Sequence, residues 1–544
     1  MEKKLNITAI IPAAGKPNNT IFRHSNLPDT MLPINGKPVV GYICEDLLSR
    51  GIVSSVITLH PDDFHTQKYL EQKYGSLMSL KFVRPSSDRG VGYSIFLAAK
   101  VMPKSSGVLI YLGDTIYKGK LPKTQSFLVV SKKYEDPNQW CFAQKRSRGK
   151  ISFINKPENY HGKGQILCGL YYFNNARLFL KIVDKVEKKR KQIELSDLLD
   201  EYQNNDSFKL IQASQWYDCG NVENYYAAKV NFLRVRSFNT LKYDGLFGVL
   251  TKSSVKKQKI NQEVNWYLNM PHELKIFAPR LFDYSLKGSR PWYSVEYYGY
   301  PTLADLYMFA YINPGIWKSI IRKLFETVSL FKKHSASLPF SYFQDMYYSK
   351  LYFRLGQLSK KSYWKTIFSL KNITVNGQRL KNISGFEKQV GQMARRLYNR
   401  KHMSFIHGDL CLSNILYDAE SRLVKLVDPR GSFSKMSVYG DIKYDLAKLR
   451  HSFGGFYDFI VSDLFRIQEQ SPGHFTYKVF AEKYHQEISR QFDQMLIASH
   501  YKLEEIKFIE ALLFLSMIPL HDDNHNRQQA MYVTGLKLLN ELFI

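Results

Sequence analysis

The sequence predicts an α/β fold made of two domains in tandem. With 544 residues, 44% of them hydrophobic, the chain has room for two separate cores. Near its start, the apolar run 7–15 stops at small residues and a helix-like stretch follows up to Leu48. This order of strand, glycine turn and helix is typical of a nucleotide-binding α/β unit. Late in the chain, strand-like runs alternate with loops that carry Asp. We place the domain boundary near residues 238–240, where the helix-like run 223–235 has ended.

The most informative segment is a loop between two strand-like runs late in the chain. It begins with His407-Gly408-Asp409, and Asn414 follows five residues after Asp409; the next apolar run ends at Asp428. In a phosphoryl-transfer site, one carboxylate receives the proton of the attacking hydroxyl, while an amide oxygen and a second carboxylate hold Mg²⁺ against the nucleotide phosphates. Two strands would bring these three groups into one cleft. The alternative is a turn-rich loop whose Asp and Asn only cap local backbone.

This segment resembles the aminoglycoside phosphotransferase and choline kinase-like family, whose loop has the pattern H-G-D-x-x-x-x-N. The resemblance implies a bilobal, protein-kinase-like α+β domain over residues 239–544, with a small lobe at about 239–300 and a large lobe at about 301–544. Such a domain uses ATP and Mg²⁺ to phosphorylate a small hydroxylated acceptor. In this chain the resemblance makes Asp409 the catalytic base and Asn414 and Asp428 the Mg²⁺ ligands, with His407 bracing the loop.

The small lobe is expected to hold the nucleotide. The run 247–252 is strand-like and ends in Lys252, and Glu263 follows in a helix-like run, 261–268. A strand Lys paired with a helix Glu, with the Lys on the nucleotide phosphates, is the arrangement found in protein kinases. Three further lysines lie close by, and lysines of this kind are commonly solvated surface charges: Lys256, Lys257 and Lys259. No G-x-G-x-x-G precedes Lys252, so the phosphate-covering loop is expected around residues 243–245.

Other segments complete the predicted kinase-like domain. The run 292–298 is interpreted as the last small-lobe strand and the hinge, where Glu296 and Tyr298 would lie beside the adenine. The segment 440–448 matches the family's helix after the metal-binding Asp, and its two carboxylates, Asp441 and Asp445, are expected to cap and anchor that helix. The polar segment 519–527 could line the acceptor pocket or form a surface turn.

The amino-terminal domain shows a different set of motifs. Gly-bearing loops and strand-end carboxylates occur in an order that resembles the sugar-phosphate nucleotidyltransferases over most of residues 1–238. The resemblance implies a Rossmann-like domain that binds an NTP (CTP, UTP, GTP or dTTP) near three glycines: Gly15, Gly90 and Gly92. It makes Asp114 and Asp218 the Mg²⁺ ligands, and Lys156, in Asn-Lys-Pro, the contact to the substrate phosphate. Two carboxylates can hold the Mg²⁺ that offsets charge during attack on the α-phosphate.

The phosphate-binding signature of this domain departs from the family's pattern. Asn19 stands where the family has the Arg that grips the triphosphate, and Asp29 replaces a phosphate-contacting Lys. Pro17 also removes a backbone N–H that a phosphate cradle could use. A charge reversal at about 4 Å costs several kcal/mol when the effective dielectric constant is about 20. The domain is therefore either a divergent transferase or a nucleotidyltransferase fold that has lost catalysis, unless Lys16 and Arg23 compensate.

Composition limits the remaining functions. The net charge is +29, but the basic residues are dispersed and no nucleic-acid-binding module is recognisable, so we do not expect nucleic acid as a partner. Attraction to nucleotides, acidic glycans or an anionic membrane surface would explain the charge. Five scattered cysteines, with no C-x-x-C, indicate free thiols in a reducing compartment. We find no signal peptide and no membrane-spanning run, and expect a cytoplasmic protein; the oligomeric state is left open.

Together the two domains suggest successive reactions, because the phosphorylated product of a kinase is a natural substrate for a nucleotidyltransferase. The leading hypothesis is a bifunctional enzyme that makes an NDP-activated precursor of a bacterial surface polysaccharide from a sugar or amino alcohol. The alternative is a small-molecule kinase whose front domain is a silent binding module. A non-enzymatic scaffold is a third reading, and the set of Asp409, Asn414 and Asp428 argues against it.

Overall fold

The computed structural model describes residues 6–16, 27–122, 125–132, 137–146, 150–158, 160, 162–232, 239–399, 403–434 and 437–544. Contacts divide the chain into two units, Met1–Phe232 (unit 1) and Leu233–Ile544 (unit 2). The predicted boundary near residue 238 falls in the segment 233–238, which lies outside the described residues.

Unit 1 is an α/β domain. Its strands are β1 (Ile7–Ala13), β2 (Pro33–Ile34), β3 (Lys37–Pro38), β4 (Ser54–Leu59), β5 (Ser79–Val83), β6 (Gly107–Tyr111), β7 (Thr115–Lys118), β8 (Phe127–Ser131), β9 (Cys141–Lys145), β10 (Ile151–Asn155), β11 (Gln165–Phe173), β12 (Lys209–Gln212) and β13 (Gln215–Asp218). Its helices are α1 (Val39–Ser49), α2 (Phe64–Tyr74), α3 (Val91–Val101), α4 (Ala176–Lys189), α5 (Leu195–Tyr202) and α6 (Val222–Asn231), with short 3-10 helices at Asp29–Met31 and Pro137–Gln139.

The central sheet of unit 1 has the order β10-β9-β11-β6-β1-β4-β5, and β8 pairs with β11 and β12. β1 is parallel to β4 and β6, whereas β11 runs antiparallel to β6. β1 is buried along almost its whole length, which explains its uninterrupted apolar sequence. Because parallel strands end at the same edge, the loops after β1 and β6 meet there, and Gly113 N donates to Pro12 O at 3.1 Å.

Unit 2 is an α+β domain. Its strands are β14 (Asn239–Asp244), β15 (Val249–Ser254), β16 (Leu281–Ser285), β17 (Trp292–Glu296), β18 (Asn372–Val375), β19 (Gln378–Lys381), β20 (Met403–Phe405), β21 (Ile415–Asp418), β22 (Leu423–Leu426), β23 (Tyr439–Asp441), β24 (Phe465–Ser471) and β25 (His474–Val479). Its first helices are α7 (Lys257–Leu268), α8 (Leu303–Phe309), α9 (Pro314–Lys332), α10 (Phe340–Gln344), α11 (Lys350–Leu358), α12 (Ser362–Ser369) and α13 (Glu387–Leu397). The later helices are α14 (Ile442–Phe453), α15 (Tyr457–Val461), α16 (Lys483–Ala498), α17 (Leu503–Met517) and α18 (His525–Phe543). A π-helical turn, Asp345–Ser349, joins α10 to α11.

The first part of unit 2 is an antiparallel sheet, β14-β15-β17-β16, with α7 following β15 in the chain. The apolar side of α7 is buried, and Trp266 Nε1 donates to Ile406 O at 2.9 Å, at the end of β20. Through this bond the helix next to the first sheet also holds the loop after β20. That loop begins at His407, so the packing of α7 bears directly on the candidate site.

Two element bounds differ from the sequence prediction. β15 continues to Ser254, so Lys252 lies inside the strand rather than at its end, and α7 begins at Lys257 instead of Asn261. The strand is longer because Ser253 and Ser254 pair with β14 even though they are polar. A hydrophobic pattern marks burial and underestimates a strand whose end is held by backbone hydrogen bonds. None of the helices in the described part of the chain has the length and hydropathy needed for a membrane span.

Candidate active sites

A cavity of about 600 Å³ opens at the sheet edge of unit 1 where β1 and β6 end. Its lining includes predicted site residues from five separate segments: Gly15, Gly90, Asp114, Lys156 and Asp218. Trp140 and Trp216 also line the cavity, and their rings meet edge to face with 5.2 Å between the ring centroids. Buried polar atoms are normally hydrogen-bonded, and the Trp216 indole N–H has no partner among the described residues. It is therefore a donor that a ligand in the cavity can use.

Asp114 and Asp218 converge in this cavity. Asp114 precedes β7 and Asp218 ends β13, and these two strands pair. A Cβ placed on Gly220 would lie 2.9 Å from Asp114 Oδ2 and 3.5 Å from Asp218 Oδ1, so the two carboxylates approach the same point. Burial raises the pKa of Asp114, and burial together with the Asp114 charge raises the pKa of Asp218 to about 7. Two carboxylates that resist simultaneous ionisation are a suitable oxygen donor set for a hard divalent cation.

Asp29 lines the same cavity, where its negative charge is unfavourable for binding a phosphate. It begins a 3-10 helix, and its charge is among the influences that raise the pKa of Asp218. Asn19, the other predicted departure, lies outside the described residues. Among the residues that the structure describes, no group of three or more His, Cys, Asp or Glu side chains is arranged to hold a metal ion. The site therefore offers two candidate ligands, Asp114 and Asp218, with an additional negative charge nearby.

The three predicted glycines have different surroundings. Gly90, at φ +86°, precedes α3, and a Cβ there would lie 2.6 Å from Ile193 O. Gly92 is buried against Ile193 and donates its N–H to Ile193 O at 2.9 Å, so its contacts are those of a packing residue. Gly15 lines the cavity, and a Cβ there would meet no described atom within 4 Å. Positions 90 and 92 therefore have little room for a side chain, because the loop packs there against the segment before α5.

Lys156 lies at the cavity in an unusual backbone conformation. Its φ is +43°, and its N–H donates to Trp140 O at 2.9 Å. A left-handed conformation is costly for a residue with a Cβ, and such strain tends to occur at functional positions. The side chain is exposed at the cavity rim, where it can reach a ligand.

In unit 2, one lysine bridges two carboxylates that come from different parts of the chain. Lys252 Nζ lies 3.0 Å from Glu263 Oε1 and 2.8 Å from Asp428 Oδ1. Glu263 is fully buried and also accepts from Tyr293 Oη at 2.8 Å. Burial would lower the pKa of Lys252, but Asp428 and Glu263 outweigh it and raise that pKa above its usual value. The strand Lys, the helix Glu and the later Asp therefore form one network.

The position of Asp428 depends on close packing of its loop against α7. Asp428 has φ +54°, and three residues later Gly431 has φ +65°. A Cβ on Gly431 would lie only 1.8 Å from Gln262 O, so only glycine allows the loop to pass the helix here. This approach keeps Asp428 beside Lys252. Burial would raise the pKa of Asp428, whereas the Lys252 ammonium lowers it below its usual value.

Asp409 is paired with a lysine that sequence reasoning missed. Lys448 Nζ, on α14, lies 2.9 Å from Asp409 Oδ1. Asn414 Nδ2 donates to Asp409 O at 2.9 Å and to Asp409 Oδ2 at 3.3 Å. Val427 N donates to Asn414 O at 3.0 Å, which brings the residue before Asp428 next to Asn414. The structure thus gathers Asp409, Asn414 and Asp428 in one region of unit 2.

The loop that carries Asp409 is fixed by buried hydrogen bonds. Asp445 accepts from the N–H groups of His407 at 2.7 Å and Gly408 at 2.8 Å. His407 Nε2 lies 3.1 Å from Val427 O, and burial lowers the pKa of His407 to about 4, so the imidazole is neutral. Asp441 accepts from Lys443 N at 3.0 Å at the start of α14. Asp445 holds the Asp409 loop and Asp441 caps the helix.

In the predicted hinge and phosphate loop, polar groups that could bind a nucleotide already form hydrogen bonds within the protein. Glu296 accepts from Tyr298 Oη at 2.7 Å, and its backbone N–H donates to Arg280 O. In the β14–β15 turn, Asp244 Oδ1 accepts from Leu246 N and Phe247 N. The turn therefore already uses amides that a phosphate could bind. Leu246 and Phe247 are strongly exposed, at 85% and 72%.

Comparison with known proteins identifies the first unit. Residues 25–234 match the family model described as nucleotidyl transferase. Curated relatives include the UTP–glucose-1-phosphate uridylyltransferase 1 of Staphylococcus saprophyticus, 29% identical over 141 residues, and the UTP–glucose-1-phosphate uridylyltransferase of Staphylococcus epidermidis, 29% identical over 143 residues. Each alignment covers 22% of this chain and 49% of the relative, so the chain spans about half the length of these curated relatives.

Solved structures similar to the chain include a UTP-bound UGPase from Acinetobacter baumannii and the inositol-1-phosphate CTP transferase from T. maritima. Their identities are 19% and 15%, and their TM-scores are 0.34 and 0.35. The matches cover 41% and 43% of this chain, and 92% and 98% of the two solved chains.

The family match makes unit 1 a nucleotidyltransferase domain of α/β fold, and this part of the sequence prediction is confirmed. The kinase-like assignment of unit 2 stays a prediction.

Proposed function

We propose that the chain carries out two successive reactions: unit 2 phosphorylates a hydroxyl of a small metabolite, and unit 1 transfers a nucleotide onto the resulting phosphate. The observation that carries the proposal is the network of contacts that brings the predicted kinase residues of unit 2 together. Lys252 contacts both Glu263 and Asp428, while Asp409 and Asn414 lie together in the neighbouring loop. A Lys–Glu pair, a catalytic Asp, and Asn and Asp ligands are the groups that kinase chemistry requires.

In the proposed kinase reaction, the acceptor hydroxyl attacks the γ-phosphorus of ATP and ADP leaves. The hydroxyl proton passes to Asp409, which Lys448 keeps ionised and Asn414 orients. Lys252 binds the nucleotide phosphates, and Glu263 holds the lysine in position from α7. Phosphoryl transfer has a loose transition state, so positioning and charge matter more than the strength of the base.

Mg²⁺ fits the donors present in unit 2. Asn414 uses its amide nitrogen on Asp409, and its amide oxygen is not engaged by any other described side chain. Asp428 adds carboxylate oxygens, and oxygen ligands of this kind suit Mg²⁺. When bound, the ion would neutralise charge on the nucleotide phosphates.

In unit 1, the phosphate oxygen of the phosphorylated metabolite would attack the α-phosphorus of an NTP, and pyrophosphate would leave. Lys156 would bind the metabolite phosphate, with the NTP near Gly15 and Gly90. Asp114 and Asp218 would hold Mg²⁺, which reduces the repulsion between the reacting phosphates. The relatives' names favour UTP and a sugar 1-phosphate as the substrate type. An NDP-sugar product of this kind would serve as a precursor of a bacterial surface polysaccharide.

The second candidate is a kinase whose unit 1 binds ligands without catalysis. Asp29 favours it, because a carboxylate at the cavity repels the phosphates that the reaction needs. Both candidates include kinase activity in unit 2, and only the first predicts that unit 1 releases pyrophosphate.

The kinase is tested by transfer of the labelled γ-phosphate of ATP to a pool of sugars, amino alcohols and hydroxy acids. Asp409→Asn should lower the rate by roughly 10²- to 10⁴-fold while ATP still binds. Asp418→Asn, which changes a half-buried carboxylate at the end of β21, is the matched control and should retain activity. Equal rates in wild type and Asp409→Asn would reject Asp409 as the base.

A further inference from the structure

Three basic side chains of unit 2 lie near Tyr444, and two of them donate to its phenol oxygen. Lys350 Nζ donates to Tyr444 Oη at 3.3 Å, and Arg430 Nη1 donates to the same oxygen at 3.1 Å. Arg354 lies one helical turn after Lys350 on α11 and donates to Ser516 O at 2.8 Å. We call Lys350, Arg354 and Arg430 the basic cluster. Its members come from α11 and from the loop that carries Asp428, and α14 contributes Tyr444.

No ion pair balances the charges of the basic cluster in the part of the chain that the structure describes. Among the described residues, none of its three members forms an ion pair with a carboxylate, and their hydrogen bonds go to a phenol and a carbonyl. Burial and the charges of Arg430 and Arg354 lower the pKa of Lys350 well below its usual value. Asp409 opposes this shift, but its carboxylate is already paired with Lys448. The three side chains are half-buried. Cations that are partly removed from water are stabilised by a counter-charge, so the arrangement favours an anion.

The basic cluster adjoins the proposed phosphotransfer site. Tyr444 and Lys448 lie one turn apart on α14, on the same face of the helix. Tyr444 contacts two members of the cluster, and Lys448 contacts Asp409. An anion held by the cluster would therefore lie about one helical turn from the catalytic carboxylate. That spacing suits a small molecule with a hydroxyl at one end and an anionic group at the other.

Two further observations mark this region as a binding site. Lys350 follows directly on the π-helical turn, and π-helical turns frequently occur at functional sites. His451, three residues after Lys448 on α14, is fully buried, and neither ring nitrogen has a hydrogen-bond partner among the described residues. Buried polar groups are normally satisfied, so a polar ligand or water is expected beside it.

We propose that the acceptor of unit 2 is an anionic alcohol, whose carboxylate or phosphate group binds Lys350, Arg354 and Arg430 while its hydroxyl faces Asp409. This inference rests on the proposed kinase function and names the substrate class of that site. It argues against choline and aminoglycosides, because a cationic acceptor would be repelled by the cluster. The high net charge of the chain, +29, acts in the same direction by attracting anionic substrates.

The nucleotide is a less suitable occupant of the basic cluster. Lys252 already offers a cation for the nucleotide phosphates, on the strand that precedes α7, and it is held beside Asp428. The cluster uses none of these residues. If it served the nucleotide instead, its removal would weaken ATP binding, and this outcome is built into the test.

The test compares matched alcohols in the γ-phosphate transfer assay: glycerol, glycerate and glycerol 3-phosphate, with ethanolamine and choline as cationic counterparts. The wild type should phosphorylate a member with a carboxylate or phosphate, and the comparison of glycerate with glycerol 3-phosphate tells which group it takes. Lys350→Met and Arg354→Met should raise the KM for that acceptor by ~10- to 100-fold, the effect of losing a charge-assisted hydrogen bond, without changing the KM for ATP. Lys360→Met, an exposed lysine near the end of α11, is the control. Preference for neutral or cationic acceptors, or a rise in the KM for ATP alone, would overturn the proposal.

A binding measurement separates this inference from the kinase proposal. Inorganic phosphate should raise the melting temperature of the wild type more than chloride at equal ionic strength, and Lys350→Met should reduce the difference. If phosphate binds in this way and no acceptor is phosphorylated, the anion site stands and the kinase proposal fails. If kinase activity is present but Lys350→Met leaves both the phosphate shift and the acceptor KM unchanged, the anion site is wrong and the kinase proposal stands.

Discussion

Lys448 Nζ lies 2.9 Å from Asp409 Oδ1, across the contact between α14 and the loop after β20. Burial would raise the pKa of Asp409, but the Lys448 ammonium outweighs this effect and lowers the pKa below its ordinary value. The carboxylate is therefore ionised at any pH near neutrality. It is held as an oriented acceptor for a proton, which suits a reaction in which positioning matters more than base strength.

The ion pair predicts a change in the pH dependence of phosphoryl transfer. In Lys448→Met the pKa of Asp409 should rise above its usual value of about 3.9, because burial is then less opposed. A protonated Asp409 cannot accept a proton, so the rate should begin to fall at a higher pH than in the wild type. Rates between pH 4.5 and 8 measure this shift. Lys478→Met, on the exposed face of β25, is the control, and coincident acid limbs in wild type and Lys448→Met would contradict the account.

The Lys252 network predicts that stability and activity can be separated. Lys252→Met leaves Glu263 buried without its main counter-charge, and loss of one partner of a buried pair typically costs about 3–5 kcal/mol. The double variant Lys252→Met/Glu263→Gln removes both charges and should recover part of that stability. It should stay inactive, because no cation then binds the nucleotide phosphates. Urea unfolding and phosphate transfer measure the two effects, and an active double variant would reject the role of Lys252.

Asp441 predicts a pH dependence of stability within α14. Burial raises its pKa to about 6, partly offset by Lys443, whereas the unfolded value is about 3.9. The folded state therefore binds the Asp441 proton more tightly than the unfolded state does. The stabilisation that this proton gives to the folded state is complete below pH 4 and is lost as the pH rises through 6. Asp441→Asn can keep the hydrogen bonds to Lys443 N and Tyr347 Oη without ionising.

The Asn variant should therefore match the wild type near pH 4 and exceed it by up to about 3 kcal/mol at pH 7.5. Hydrogen exchange of α14 amides, compared at equal pH so that intrinsic rates cancel, measures this difference. A wild-type advantage at pH 7.5 would mean that the ionised Asp441 stabilises the fold, which is the opposite of the predicted effect.

Asp29 predicts that the nucleotide affinity of unit 1 is limited by repulsion. Asp29→Asn removes one negative charge from the cavity and should tighten UTP binding, by roughly tenfold when the charge lies within several ångströms of a phosphate. Calorimetry in the presence of Mg²⁺ measures the change, in an Asp409→Asn background so that kinase turnover does not interfere. Asp62→Asn, which changes a strongly exposed carboxylate of unit 1 that does not line the cavity, is the matched control. Unchanged or weaker UTP binding in Asp29→Asn would place Asp29 away from the phosphates.

The parts of the fold and site that follow from local sequence were accessible without coordinates. The apolar run of β1 and the glycine turn after it predicted the α/β domain of unit 1, and the family match confirms that domain. The contact between Lys252 and Glu263 could be anticipated because Glu263 follows Lys252 by only 11 residues, in the helix after the strand. Contacts between distant segments could not. Lys448 follows Asp409 by 39 residues, and only the packing of α14 brings the two together.

The basic cluster shows the same limit. Lys350, Arg430 and Tyr444 belong to three segments that nothing in the sequence connects, and each resembles the many dispersed basic or aromatic residues of this chain. The bounds of β15 were missed for a related reason, since backbone pairing with β14 extends the strand past its apolar residues. Residue spacing predicts neighbours along an element, whereas packing between elements decides which charges meet.

The central claim is that one chain phosphorylates a small alcohol and then links the product to a nucleotide. Mass spectrometry of reactions with Mg²⁺, ATP, the other NTPs and the alcohol panel tests it most directly, in wild type, Asp409→Asn and Asp114→Ala. The account predicts a nucleotide-linked product that disappears in both variants, with the monophosphate accumulating in Asp114→Ala. A monophosphate as the sole product, formed equally by wild type and Asp114→Ala, would contradict it and leave a kinase with a silent amino-terminal domain.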